Sequence, residues 1–369
     1  MNFVICNACV LRRTFVQCGS TSVMFHRSIR TTPVCGAPIV PWAVFAAVGR
    51  KALHFGAVLL GRRARKWYKA LPPEQRLFYT NHARTHKRRY WYATAAGAGL
   101  VSGYVISHLE RTPESGRIRF VAFTPYQYRK LCTFTLHQVL AETESRLVSK
   151  SDWRNRTTEA LVGRILYGNK DQFDMEQYDW QVYVVDDKRE NAFVVPTGQI
   201  FVFTGMIDAC ANADQLGVVL SHEIAHAVLR HGIEHVSVAR VSDWFMIVLL
   251  AAIWTVMPND GLAAVFTWYS NTVMNILLHL PYSRTMEREA DQVGLIMAAR
   301  ASLFRCSSSA RVYAKLADRA EKGDAAPQPP EFLSTHPAHQ GRVEHLLDYM
   351  PKALSTRREC GCEPLPRSQ

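Results

Sequence analysis

The chain has 369 residues, 48% hydrophobic, 20% charged and 11% aromatic, which excludes a disordered protein and leaves room for one large or two ordinary domains. It shows no collagen period, low-complexity tract or fixed repeat, so fibres and solenoids are excluded as well. The net charge of +13 sits at one end: residues 1–109 hold 16 Lys and Arg against a single acid, Glu74, which points to targeting and anionic membranes and not to a nucleic-acid enzyme.

Residues 1–35 contain Arg12, Arg13, Arg27 and Arg30, scattered Ser and Thr, and no acid. This is the composition of a mitochondrial transit peptide, with a disordered basic tail as the alternative. Residues 36–89 carry two apolar pieces, Ile39–Val48 and Leu53–Leu60, and then Arg62, Arg63, Arg65, Lys66 and Lys69 around Trp67 and Tyr68. Neither piece is long enough to span a bilayer, and the pattern suits an amphipathic, potential-sensing helix lying on an anionic lipid such as cardiolipin. Each base would contribute about 1 kcal/mol there. A solvated basic linker is the competing reading.

Tyr90–Ser107 gives 18 uncharged residues behind Lys87, Arg88 and Arg89. At about 1.5 Å per residue they extend roughly 27 Å, which predicts a transmembrane helix over 90–109. The charge bias keeps its N-terminal side in the matrix and leaves the rest of the chain in the intermembrane space. Ala95, Gly99 and Gly103 form a small-residue face for homo-oligomeric helix contact. The alternative is a buried soluble helix.

Residues 110–362 read as one α+β domain, mostly helical with a small β-sheet, followed by a tail at 363–369. Trp180–Val185, Ala192–Val195 and Gln199–Thr204 predict short strands, the last two around a turn at Pro196–Gly198. The second and third offer an edge for an extended substrate. Asn212 with Gln215 starts a helix that Gly232 would stop. Trp244–Met257 is an apolar run too short to span, followed by a Pro258–Gly261 turn and an uncharged stretch to Leu280. A re-entrant hairpin and a buried core hairpin both fit. Beyond the leader only Cys132, Cys210, Cys306, Cys360 and Cys362 remain, which rules out a disulfide scaffold and leaves open one bridge from Cys306 to Cys360 or Cys362.

The chemistry lies in Ser221-His-Glu-Ile-Ala-His226. His222 and His226, one turn apart on one helical face, can reach one ion, and Glu223 can take a proton from water at its open position. Downstream, Glu287-Arg-Glu-Ala-Asp291 puts Glu287 and Asp291 on one face. Glu287 would complete a His₂Glu zinc set while Asp291 orients a ligand imidazole. Glu289 faces the other way. The metzincin extension fails, because Leu229 and Gly232 stand where it needs Gly and His. His231-Gly-Ile-Glu-His235 fits the inverted zincin pattern, but a helix stop at Gly232 would make the match accidental.

Asn191–Pro196, Gly198–Gly205, Ser221–His226, Tyr282–Glu287 through Asp291, and Ser334–Pro337 with Arg342 resemble the membrane zinc endopeptidases of the CaaX-protease and heat-shock HtpX type. Within these, the leader, the single anchor and Cys360-Gly-Cys362 are similar to the stress-activated mitochondrial inner-membrane branch whose activity overlaps the m-AAA protease. The resemblance implies a gluzincin-type domain with zinc on His222, His226 and Glu287 and catalysis by Glu223. It further implies a transition-state hydrogen bond from His336, with Arg342 bracing that loop. It also implies cleavage of inner-membrane proteins, among them the dynamin-like fusion GTPase linked to optic atrophy, rising on depolarisation and ending in self-cleavage. An idle membrane scaffold would have lost Glu223 or a ligand. A prenyl-protein protease of the endoplasmic reticulum would need several spans. Asn155-Arg-Thr157 is a glycosylation acceptor, and sugar there would overturn the mitochondrial reading.

Overall fold

The computed structural model describes residues 42–112, 115–274, 280–303 and 340–361. The leader at 1–35, Cys306, the Ser334–Pro337 motif with His336, Cys362 and the tail lie outside these residues.

The C-terminal half is organised around a three-stranded sheet in the order β3 (Gln181–Val185), β5 (Gln199–Phe203), β4 (Ala192–Val194). β5 runs parallel to β3 and antiparallel to β4. All five residues of β5 are buried, because alternate side chains enter two different cores. Ile200 and Val202 face the main core, whereas Phe201 and Phe203 face a smaller one, against which Leu136, Val139 and Leu140 of α4 (Pro125–Thr143) pack. β5 is therefore the central strand and cannot be the open edge expected for it. Only β4 occupies that edge.

On the main-core face lie α5 (Trp153–Asn169), α7 (Ala213–Val228), α10 (Leu280–Arg300) and α11 (Gln340–Glu359). A short helix α6 (Thr204–Ala209) follows β5. Asn155, on α5, is 1% exposed and its side-chain amide donates to the Val148 carbonyl at 3.3 Å. A sugar has no access to it in the folded domain.

N-terminal to this half, α1 (Trp42–Ala70), α2 (Pro73–Thr85) and α3 (Lys87–Ser107) are followed by a hairpin of β1 (Leu109–Arg111) and β2 (Ile118–Phe120). α3 covers residues 90–107 of the expected 90–109 span and buries none of its residues. Yet the described helix long and apolar enough to cross a membrane is α8 (His231–Val256); α3, with its Tyr, Gly, Ser and Thr residues, falls short.

α8 corrects two expectations. Gly232 does not stop the helix that begins at Asn212: Arg230, in the left-handed region at φ 57°, breaks the chain, and His231 opens the new helix. A Cβ on Gly232 would stand 2.6 Å from the Tyr128 hydroxyl, so the glycine serves close packing. The run Trp244–Met257 is the far half of a 26-residue helix of about 39 Å, not a short leg. After the turn, α9 (Asp260–Met274) returns beside it.

This hairpin is no core element. Met246, Leu250 and Ile253 are buried, while Trp244, Phe245, Val248, Val265, Phe266 and Trp268 are exposed. α1 lies along α8, with Gly61 so near that a Cβ would meet the Ala251 carbonyl oxygen at 2.7 Å. Part of the basic cluster is tied to the α8–α9 turn. Arg62 pairs with Asp260 at 2.5 Å, Arg65 pairs with Asp260 and donates to the Met257 carbonyl, and Lys69 donates to the Pro258 carbonyl. Residues 36–89 therefore include a helix bound to the chain, not only a surface-lying basic segment.

Candidate metal centre

α7 begins where Asn212 Oδ1 accepts the Gln215 amide at 2.9 Å, while Gln215 Oε1 accepts the Ala211 amide at 2.7 Å. The second bond lands one residue earlier than in an ordinary capping box. At the other end Arg119, from β2, donates to the Leu229 carbonyl, and Tyr178 donates to Ala227 at 3.2 Å. Both satisfy carbonyls that a helix terminus leaves without intrahelical partners. The helix is apolar on every side of the motif: Leu216, Val218, Val219, Leu220, Ile224 and Ala225 are all buried.

His222 and His226 on α7 meet Glu287 on α10. His222 Nε2 lies 3.1 Å from His226 Nε2, while Glu287 Oε2 lies 3.4 Å from the first and its Oε1 3.4 Å from the second. Two imidazole nitrogens and a carboxylate oxygen thus converge, every pair within 4.8 Å, which is a donor set suited to a divalent ion. Glu223 follows His222 and is 2% exposed.

Behind the ligand atoms stands a buried polar shell. Asp291 Oδ1 is 3.0 Å from His222 Nδ1. An ionised carboxylate only accepts, so Nδ1 carries the proton and Nε2 keeps its lone pair towards Glu287 and His226. Arg342, at the start of α11, donates to both oxygens of Asp291 at 2.7 and 2.8 Å. Its guanidinium also lies 3.2 Å from His222 Nε2 and 3.3 Å from Glu287. The braced partner of Arg342 among the described residues is therefore Asp291; the loop it was expected to brace lies outside them. Burial would lower the pKa of His222, but Asp291 and Glu287 outweigh it and raise it to about 9. The same carboxylates favour a cation at the place the Nε2 lone pair faces.

Glu289 indeed turns away from the ligand set. It lies 3.1 Å from His231 Nε2, and His231 Nδ1 lies 2.9 Å from His226 Nδ1. Sequence spacing assigned His231 no part, because that part depends on the left-handed turn at Arg230. Arg117 and Ser115 were equally silent; both come from the hairpin, over a hundred residues away in the chain, and bind Glu289.

Peptidase family M48 matches residues 152–350, which contain the ligand set, Glu223, Asp291 and Arg342. The chain belongs to peptidase family M48. Across 349 residues this M48 peptidase is 36% identical to "Metalloendopeptidase OMA1, mitochondrial" of Danio rerio, covering 93% of the chain and 70% of the relative. To the Bos taurus protein of that name it is 34% identical over 339 residues, 92% of the chain and 64% of the relative. A Saccharomyces cerevisiae protein, "Mitochondrial metalloendopeptidase OMA1", is 28% identical over 288 residues, 75% of the chain and 79% of the relative. The M48 peptidase is thus of OMA1 type, a mostly helical metallopeptidase with small sheets, and it spans about two thirds of the length of the Bos taurus relative.

Proposed function

We propose that the chain is a zinc-dependent endopeptidase of mitochondrial protein quality control, with His222, His226 and Glu287 as metal ligands and Glu223 as the general base. The convergence of those three ligand atoms from two helices carries this reading. A tetrahedral zinc with ligand bonds of about 2.0–2.1 Å has its ligand atoms roughly 3.3 Å apart, close to the 3.1 Å between the two imidazole nitrogens and the 3.4 Å from each nitrogen to one or other oxygen of Glu287.

Bound there, zinc would supply a Lewis acid that polarises the scissile carbonyl and lowers the pKa of an attacking water to about 7. Glu223 takes the water's proton and passes it to the leaving amine. His336 donates to the developing oxyanion. Asp291 and Arg342 keep the His222 lone pair aimed into the site, and the apolar flanks of α7 exclude bulk water.

The matching relatives bear mitochondrial names, and the basic leader supports the same compartment. Anchoring in the inner membrane, with the catalytic domain in the intermembrane space, is supported by the uncharged 90–109 segment and by the exposed apolar sides of α1, α8 and α9. The Ala95, Gly99 and Gly103 face would serve homo-oligomerisation, and the exposed bases Arg63, Lys66 and Lys87–Arg89 would meet cardiolipin and sense the potential. Inner-membrane proteins such as the dynamin-like fusion GTPase as substrates, stress activation and self-cleavage rest on the motif resemblance.

Zinc analysis of the purified full chain, run beside peptide cleavage for the native protein and Glu223→Gln, tests the reading. Both should hold one zinc and only the native protein should cleave, the variant losing about 10²–10⁴ in rate. A zinc-free native chain would overturn it, and so would zinc without cleavage, the outcome an idle scaffold gives.

A further inference from the structure

Behind His222 stands the carboxylate of Asp291; the second ligand imidazole, His226, is backed differently. What stands behind it is another imidazole, His231, and behind that Glu289. The hydrogen-bond order along this line is determined by what each group can do. Ionised Glu289 only accepts, so His231 donates from Nε2. A neutral His231 then has its lone pair on Nδ1 and accepts from His226 Nδ1–H. His226 is left with its lone pair on Nε2, the atom that faces Glu287 and His222.

We propose that His231 and Glu289 are positioning residues that fix the tautomer and ring angle of His226, doing in two steps what Asp291 does for His222 in one. This rests on the metal-ligand reading above. The outer end of the line is held from elsewhere in the fold. Arg117 donates to Glu289 at 2.9 Å and to Glu234 at 2.5 and 2.8 Å, and Ser115 donates to the other Glu289 oxygen. His231, Glu234 and Glu289 are all at most 5% exposed, and the Arg117 guanidinium pairs with both buried carboxylates. Arg117 belongs to the β1–β2 hairpin that follows α3, and the neighbouring Arg119 grips the carboxyl end of α7. One hairpin, joined directly to the N-terminal helices, thus secures both the catalytic helix and the shell behind His226.

The test uses the full chain with Zn²⁺ in chelator competition and with Co²⁺, whose visible absorption reports coordination geometry. His231→Leu should weaken zinc binding about 10–100-fold and alter the cobalt spectrum. His231→Gln, whose amide can accept on one side and donate on the other, should recover most of the affinity. If His231→Leu does not fold, the near-isosteric Glu289→Gln decides, with about a tenfold loss expected. Native affinity and an unchanged cobalt spectrum in the folded variant overturn the relay. His226→Ala runs alongside: should it also bind zinc like the native chain, the ligand reading itself has failed and not the relay alone.

Discussion

Gly294 on α10 lies directly against the backbone of His222 on α7, where an added Cβ would stand 2.9 Å from the His222 Cα and 3.0 Å from its nitrogen. The two helices that carry the ligand set touch main chain to main chain, one turn beyond Asp291. That closeness lets side chains as short as Asp291 and Glu287 reach the imidazoles of the facing helix. Replacing an ordinary helical Gly by Ala stabilises by up to about 1 kcal/mol. Here the obstructing atoms are backbone and cannot swing aside, so Gly294→Ala should destabilise by roughly 1–3 kcal/mol and weaken metal binding. Thermal unfolding checks the sign, and a raised midpoint would show that the helices are not in such contact.

Asp291→Asn keeps the shape of the group behind His222 but removes its charge. It leaves Arg342 buried without its bidentate partner, a kind of loss that costs about 3–5 kcal/mol. Zinc affinity should fall about 10–100-fold. Isothermal titration on the native chain and the variant measures it, and equal affinities would remove Asp291 from the metal shell.

Acid stability follows from Glu289. Burial pushes its carboxyl up, but donors from His231, Ser115 and Arg117 outweigh this and hold its pKa at about 2, below the ordinary 4.5. A depressed folded-state pKa gives stability that is full above the unfolded value and lost as pH falls through the folded one. Glu289 therefore stabilises the fold above about pH 4.5, and that contribution fades towards pH 2. The stability difference between the native chain and Glu289→Gln should shrink across this window in urea titrations. Parallel pH profiles would contradict it.

The pairing of α1 with α8 depends on Gly61 in the same way. Gly61→Leu would drive a side chain into the Ala251 carbonyl and the Trp254 Cβ. It should release α1 and break the contacts of Arg65 with Met257 and Asp260. Limited proteolysis of the full chain in membranes should then cut α1 faster, with zinc binding retained. Unaltered proteolysis would mean that α1 is held by other contacts.

The sequence carried the elements whose cause is local. The Asn212 cap, the strands at 181–185 and 199–203 and the facing of His222 with His226 follow from helical and strand periods that need only neighbours in the chain. Likewise Glu287 and Asp291 share a face, and Glu289 does not, by the same 3.6-residue period. Where Gly232 was expected to end a helix, the local rule failed: a left-handed Arg230 already broke the chain, and Gly232 was needed for contact with Tyr128. The apolar run at 244–257 misled for a related reason, since its helix begins among polar residues at His231.

What the tertiary structure alone decided is which distant groups meet. Gly294 against His222, His231 against Glu289, and the hairpin bases Arg117 and Arg119 on the catalytic helix and its shell depend on how α7, α10 and the hairpin pack. Helical spacing is set within a few residues by backbone geometry. Convergence of groups up to about 170 residues apart in the chain is set by close packing across the core, which no local period encodes.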